Sequence, residues 1–307
     1  MYRIKYNLNK LKIIINDFFR KSKYKKNICI LSSSKYKNKV VEDINLKYYF
    51  NKRNIGVNII DYNENVDFNK YDLVIIRSVW GFYREKEKFI NLVKSLSGKV
   101  FNDESIIINN LDKEIQYKIL EKNNIETIQT VFTNDLSNLK DIWNNNFKEY
   151  NKLVIKPTIS ESGNDTFCID KNFKIPNIKT RWMVEPFIES VKDGEISVIL
   201  FNGKVMYGVR RYSGIFCPYQ KTKYIDLLEL DNTLISICNK VSKIKEYSNH
   251  LYMRIDFVFE FDKYLLMEVE LIDPLLFMEC VPKKLKIYDK FVESVLEKTE
   301  LLNIGRK

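Results

Sequence analysis

Between Tyr252 and Ile272 the chain alternates apolar and polar residues with a period of two, a pattern that paired strands satisfy and a helix does not. Met253, Ile255, Phe257, Phe259 and Phe261 place an apolar side chain at every odd position, and Leu265, Met267, Val269 and Leu271 continue the series. This predicts a hairpin laying one face on a core. The other face carries Arg254 and Asp256 on the first strand, with Glu268 and Glu270 on the second. A loop centred on Asp262 sets Asp256 opposite Glu268 and Arg254 opposite Glu270, and so predicts a loop of odd length. A two-residue turn at Asp262-Lys263 would instead put Asp256 opposite Val269, on mismatched faces.

Carboxylates converging on one strip of sheet repel one another unless a cation sits among them. Ligands that are all oxygen, without His or Cys, select Mg²⁺ or Mn²⁺. Asp256, Glu268 and Glu270 are therefore expected metal ligands. The alternative is a solvated face that Arg254 neutralises, but the apolar continuation Leu271–Phe277 argues for burial.

The 307 residues allow two or three packed units, and 45% apolar with 30% charged residues predicts a folded core. Five scattered Cys without a CxxC pair fit reduced thiols in a cytoplasm better than disulfides or zinc. His250 is the sole histidine and there is no nucleophile elbow, so hydrolase readings start poorly. No apolar run reaches the ~18 residues of a membrane span. Most of the net charge of +11 lies in residues 1–27, where nine Lys/Arg face one acid, Asp17. The high pI thus reports an N-terminal arm rather than a nucleic-acid-binding fold, and no nucleic-acid partner is expected. Ile4, Leu8, Leu11, Ile15 and Phe18 give the arm an apolar helical stripe. It is expected to pack on the protein itself or a second subunit, ahead of an anionic membrane surface or an acidic partner.

Strands at 28–32, 56–61, 72–77 and 99–102 alternate with helices near 41–54 and 84–97, the pattern of a small open α/β unit. Ligands bind where such strands end, which marks Ser32–Ser34, Arg77, Ser78 and Trp80 as candidate substrate contacts. A helix then begins with Asn109 or Asn110 as its cap and Leu111, Ile115 and Ile119 on one face. Lys113 falls in its first turn, unfavourably placed unless an anion sits nearby. Leu153–Pro157 is a strand ending in Lys156, followed by a loop of small residues, Thr158–Asp165, that could wrap phosphate oxygens. Met183–Ile188 is an apolar extended segment with one acid, Glu185. A second hairpin, Glu195–Arg211, turns at Asn202-Gly203, and unbroken pairing sets Glu195 opposite Arg210.

In this order the motifs resemble the ATP-grasp ligases over about residues 28–295. The resemblance is strongest to the branch that includes the O-ureido-serine cyclo-ligase of cycloserine biosynthesis, carried by Tyr71–Trp80, Lys156–Gly163 and Met267–Pro274. D-alanine–D-alanine ligase and glutathione synthetase are more distant relatives. The resemblance implies a mixed α/β ATP-grasp fold, with an arm at 1–27 and a small open α/β domain at 28–107. It further implies a small ATP-grasp subdomain at 108–188 and a large one at 189–307. Lys113 and Lys156 would hold ATP phosphates, with Ser160, Ser162 and Gly163 in the loop closing over them. Glu185 and the main chain of Phe187 and Ile188 would read adenine, and Glu195 the ribose. Arg254 would stabilise the transferring phosphoryl group, with Arg210 a further candidate. Family members often form homodimers.

The chain departs from the branch at Trp80-Gly81, where Trp-Asp is usual, and after Arg211, where a Gly- and Arg-containing loop is missing. Both departures concern the substrate rather than the nucleotide. The expected activity is ADP-forming coupling of a small, amino-acid-like carboxylate to an amine, through an acyl phosphate. A nucleotide-binding sensor or partner protein of the same fold, without ligase chemistry, is the alternative.

Overall fold

The computed structural model describes residues 24, 26–161, 163–173, 176–212 and 221–304. The arm at 1–27 lies almost wholly outside the described residues, and so does Ser162. The first unit runs β1 (Lys26–Ser32), α1 (Val41–Lys52), β2 (Ile55–Asp61), β3 (Leu73–Ser78), α2 (Lys86–Ser95) and β4 (Val100–Phe101). Its strands form a parallel sheet in the order β2-β1-β3-β4. Every residue of β3 is buried, which accounts for the unbroken Leu-Val-Ile-Ile run of a strand covered on both faces.

Two short helices follow, α3 (Glu104–Asn110) and α4 (Lys113–Lys122). The cap of α4 is Asp112, whose Oδ1 accepts from Glu114 N at 2.9 Å, so the expected Asn109 or Asn110 cap is one helix too early. The buried residues of α4 are Gln116, Tyr117 and Leu120, while Ile115 stands 42% exposed. A four-stranded antiparallel sheet then assembles from β5 (Val131–Thr133), β6 (Leu153–Pro157), β7 (Phe167–Ile169) and β8 (Trp182–Pro186), in the order β5-β8-β6-β7. Helix α5 (Leu139–Asn146) buries Leu139, Ile142 and Trp143 in the core beneath it.

The largest sheet is antiparallel in the order β11-β10-β9-β12-β13. It comprises β9 (Glu195–Phe201), β10 (Lys204–Tyr212), β11 (Lys221–Ile225), β12 (Tyr252–Glu260) and β13 (Lys263–Glu270). Helix α6 (Asn232–Ser242) covers one face. Helix α7 (Ile287–Ile304) packs through Phe291, Val292 and Val295 into a core shared with α1 and β1 of the first unit.

The hairpin β12–β13 has the expected pairing at the carboxylates, Arg254 with Glu270 and Asp256 with Glu268, but reaches it differently. Its turn has two residues, Phe261 and Asp262, both left-handed at φ 50° and 59°. Register shifts at a bulge where Phe257 pairs Leu266, leaving Met267 as the extra residue. The bulge also reverses the alternation. Leu266 joins Val269 and Leu271 in the main core, Leu265 and Met267 turn to a smaller cluster, and Phe259 and Phe261 are exposed.

The free edge of β13 is closed by side-chain amides. Gln116 accepts from Val269 N at 2.9 Å and donates to Val269 O at 2.8 Å. Asn110 accepts from Leu271 N at 2.9 Å and donates to Val269 O at 2.7 Å. Replacing Gln116 with Leu leaves Val269 N–H buried without a partner, at a cost of about 1–3 kcal/mol. Urea unfolding should show a correspondingly lower midpoint; an unchanged midpoint would mean that β13 holds its register without the amide.

Candidate active site

The two antiparallel sheets and α4 meet at a seam lined by charged side chains. Lys113, at the first position of α4, donates from Nζ to Ser160 O at 2.7 Å and lies 3.2 Å from Glu268 Oε1 on β13. The anion that makes a cation tolerable at this helix start is thus Glu268, from another element, and a main-chain carbonyl of the 158–165 loop assists it. Lys156 alternates out of the core of β6 and places Nζ 2.8 Å from Glu185 Oε2 on neighbouring β8. Glu185, 4% exposed, also accepts from Tyr117 Oη at 2.9 Å and Thr130 Oγ1 at 3.1 Å. Burial works against the charge on Lys156, yet Glu185, Glu268 and Glu195 outweigh it and raise its pKa.

On the large sheet a second bulge decides which arginine enters the site. Val205 pairs Leu200 but Tyr207 pairs Ile199, so Met206 is the extra residue and Glu195 faces Arg211 rather than Arg210. Arg211 Nη2 lies 2.6 Å from Glu195 Oε2 and 2.9 Å from Asp256 Oδ2. Arg210 instead turns its Nη1 to the carbonyls of Asp193 and Gly194, at 3.3 and 3.5 Å. The arginines that meet the acids of this strip are therefore Arg254 and Arg211, and Arg210 turns away from them.

Asp256 is gripped on both oxygens. Arg254 donates from Nε to Oδ1 and from Nη2 to Oδ2, each at 3.0 Å, and Ser197 Oγ donates to Oδ1 at 2.6 Å. Burial pushes its pKa up, but Arg211 and Arg254 outweigh burial and hold it below the usual carboxylate range. Glu268 is held low in the same way by Lys113 and Lys156. Glu270 is raised by burial and by Glu268.

Among the described residues no three His, Cys, Asp or Glu side chains come close enough to share one metal ion. The expected three-carboxylate set narrows accordingly: Asp256 has its oxygens occupied by arginines and a serine, whereas Glu268 meets Lys113 through Oε1 alone and Glu270 is pushed up by burial and by Glu268. That pair, with oxygen donors alone, fits a hard divalent cation.

The remaining candidates fall into three groups. Ser160 donates from Oγ to Pro157 O at 3.1 Å, and Gly163, at φ 70°, has nothing within 4 Å of where a Cβ would stand. Phe187 N donates to Lys152 O at 3.0 Å, and Ile188 O accepts from Val191 N at 3.3 Å. Arg77 is no open substrate contact: it is 2% exposed, 2.9 Å from Glu42 and 3.6 Å from Asp43. Ser78 likewise donates to Asp43 at 2.6 Å. Trp80 alone of that set faces the seam, its indole N–H donating to Asp273 O at 3.2 Å.

Residues 28–102 match the family model described as the N-terminal domain of D-cycloserine synthetase DcsG. The crystal structure of D-cycloserine synthetase DcsG superposes with TM-score 0.77 at 15% identity, covering 89% of this chain and 99% of the other. ATP-grasp ligase PsnB superposes at 0.62 and 13% identity, covering 87% and 98%. The fold is that of the ATP-grasp ligases. D-alanine–D-alanine ligase from Bacillus anthracis shares it at TM-score 0.65 and 18% identity, covering 92% and 100%. A complex of that ATP-grasp ligase contains ATP, and one of PsnB contains Mg and ADP. No relative was found among curated protein sequences.

Arg211→Ala leaves Glu195 and Asp256 short of a buried cation and should cost about 3–5 kcal/mol in denaturant unfolding. Arg210→Ala should cost less than about 1 kcal/mol; equal losses would reject the assignment. A pH dependence follows from Glu161, whose carboxyl is pushed up to about 7 by burial and by Glu270. A carboxyl whose folded pKa exceeds its unfolded value binds more protons folded, so stability falls as pH rises from about 4.5 to about 7. Glu270 and Asp273 act in the same direction. Melting temperatures across that window should fall for the wild type and less steeply for Glu161→Gln.

Proposed function

We propose that the chain is an ATP- and Mg²⁺-dependent, ADP-forming ligase that activates a small, amino-acid-like carboxylate as an acyl phosphate and couples it to an amine or other nucleophile. Specialised metabolite or peptide synthesis is the setting that this chemistry suits. The observation that carries the reading is one convergence within an ATP-grasp fold: Lys113 3.2 Å from Glu268, Lys156 2.8 Å from Glu185, and Asp256 between Arg211 and Arg254.

A carboxylate is a poor electrophile, and phosphoryl transfer to it brings two anions together, so the site must supply positive charge and exclude water. Lys113 and Lys156 would neutralise the phosphates. Arg254, held rigid by Asp256, would meet charge developing on the transferred group. Arg211 would couple that position to Glu195, the candidate ribose contact. Glu185, Phe187 and Ile188 would border the base, and the 158–165 loop would close over the phosphates. A divalent cation held by Glu268 and Glu270 would supply further charge neutralisation. Cys29, Cys168, Cys238 and Cys280 are free thiols, in keeping with a cytoplasmic enzyme.

The test is release of ADP and phosphate when the purified chain receives ATP, Mg²⁺ and panels of small carboxylates and amines. Glu268→Gln should lower that rate about 10²-fold or more, the scale of losing one preorganised electrostatic partner. Turnover at the wild-type rate under saturating Mg²⁺ would remove Glu268 from the metal site. ATP binding without ADP release from any acid and amine pair would favour the non-ligase alternative.

A further inference from the structure

Beyond Lys113 the seam ends in an acidic corner in which only Glu270 has a role above. Two consecutive residues of the first unit, Trp80 and Gly81, bring its parts together. The Gly81 N–H donates to Glu161 Oε1 from the 158–165 loop, and the Trp80 indole donates to the main chain of Asp273. Asp273 is 3% exposed and its Oδ2 is buried without a hydrogen-bond partner. Glu161 Oε2 is buried and unpartnered as well. Glu270 on β13 completes the group. Asp273 is pushed up by burial, then by Glu270 and Glu161, so its carboxyl feels both of the other acids.

Negative charge and unmet acceptors concentrated in this way call for a cation. Among the described residues no three carboxylates could share one metal ion, and a divalent cation needs oxygens within about 2.0–2.6 Å. A primary ammonium is the matching group: a compact charge with three N–H donors and no acceptor, satisfied by contacts of about 2.7–2.9 Å from separate carboxylates. Open space adjoins Gly81, whose N–H holds Glu161. Gly81, at φ 108°, has nothing within 4 Å of where a Cβ would stand.

We propose that Glu161 and Asp273, with Glu270 beside them, form the subsite for the primary ammonium of the amino-acid substrate; this rests on the ligase reading above. The position suits that role. Ser160, adjacent to Glu161, accepts from Lys113, and Glu268, two residues before Glu270, lies 3.2 Å from the same ammonium. An amino acid anchored here by its nitrogen directs its carboxylate toward the lysine-lined phosphate position. Glu161 is then a specificity-determining residue of the closing loop, so substrate and loop order each other.

Two calorimetric titrations of the full chain test this. The first measures binding of a non-hydrolysable ATP analogue with Mg²⁺; its failure would overturn the nucleotide reading. The second, run with and without the analogue, compares glycine and the D and L forms of alanine and serine with their N-acetyl derivatives. At least one free amino acid should bind tenfold or more tightly than its acetylated form. Glu161→Gln and Asp273→Asn should each weaken it about tenfold, with Glu161→Asp restoring part of the loss. Analogue affinity, read in the same samples, shows that each variant is folded. Equal binding of free and acetylated forms, binding by none of them, or variants that instead lose Mg²⁺ affinity would overturn the proposal.

Discussion

Asp256 holds the large sheet's part of the site together. A carboxylate buried to 3% exposure among Glu195, Glu268 and Glu270 is tolerable only because Arg211 and Arg254 occupy its oxygens and Ser197 donates to one of them. Those contacts draw β9, β10 and β12 to one point. Glu195 is positioned through Arg211, and Arg254 is oriented through two bonds to Asp256. Lys156 of the other sheet and Lys113 at the start of α4 face the same strip, so the site's charges are set against one another before any ligand arrives. Such preorganised charge is what phosphoryl transfer needs, since little covalent work falls to the protein.

The three sheets divide the labour by their chemistry. The parallel sheet packs its apolar strands between α1 and α2 and carries its polar residues at the ends of β1 and β3. There Arg77 is not a ligand contact but a strut, ion-paired to Glu42 and packed over the Tyr252 ring at 5.3 Å. Tyr252 in turn reaches Ile76 O and Ile272 O. Through this joint the first unit is fixed to the strand that bears Arg254 and Asp256, and Trp80 is fixed beside Asp273.

The hairpin with its facing acids, the parallel strands, the Asn202-Gly203 turn and the lysine-bearing strand could all be read from local pattern, because each depends on period, turn chemistry or an uninterrupted apolar run. The differences in strand pairing have one physical origin. Met206 and Met267 are apolar residues in apolar alternation, so nothing in the pattern distinguishes a bulged methionine from a paired one. The bulge at Met206 displaces the following pairs by one position and sets Arg211, not Arg210, opposite Glu195, whereas the bulge at Met267 offsets the two-residue turn and keeps the acids paired as expected. Asn110 carries the chemistry of a helix cap, yet its amide is used on β13, more than 150 residues away, a pairing no local rule contains. Arg77 was misplaced for a related reason: a strand-end arginine looks available until its two acidic partners, some 35 residues earlier, are seen to enclose it.

The amides on β13 have a consequence for the molecule's behaviour in a crowded solution. An outermost strand with bare N–H and C=O groups is a template on which another polypeptide can grow a sheet, and hydrophobic hairpins are prone to such recruitment. Here Gln116 and Asn110 cover the rung where recruitment would begin, and the main chain at Ile128 bonds to Leu266 further along. The strand carrying Glu268 and Glu270 can therefore present both acids without offering itself to a neighbouring copy.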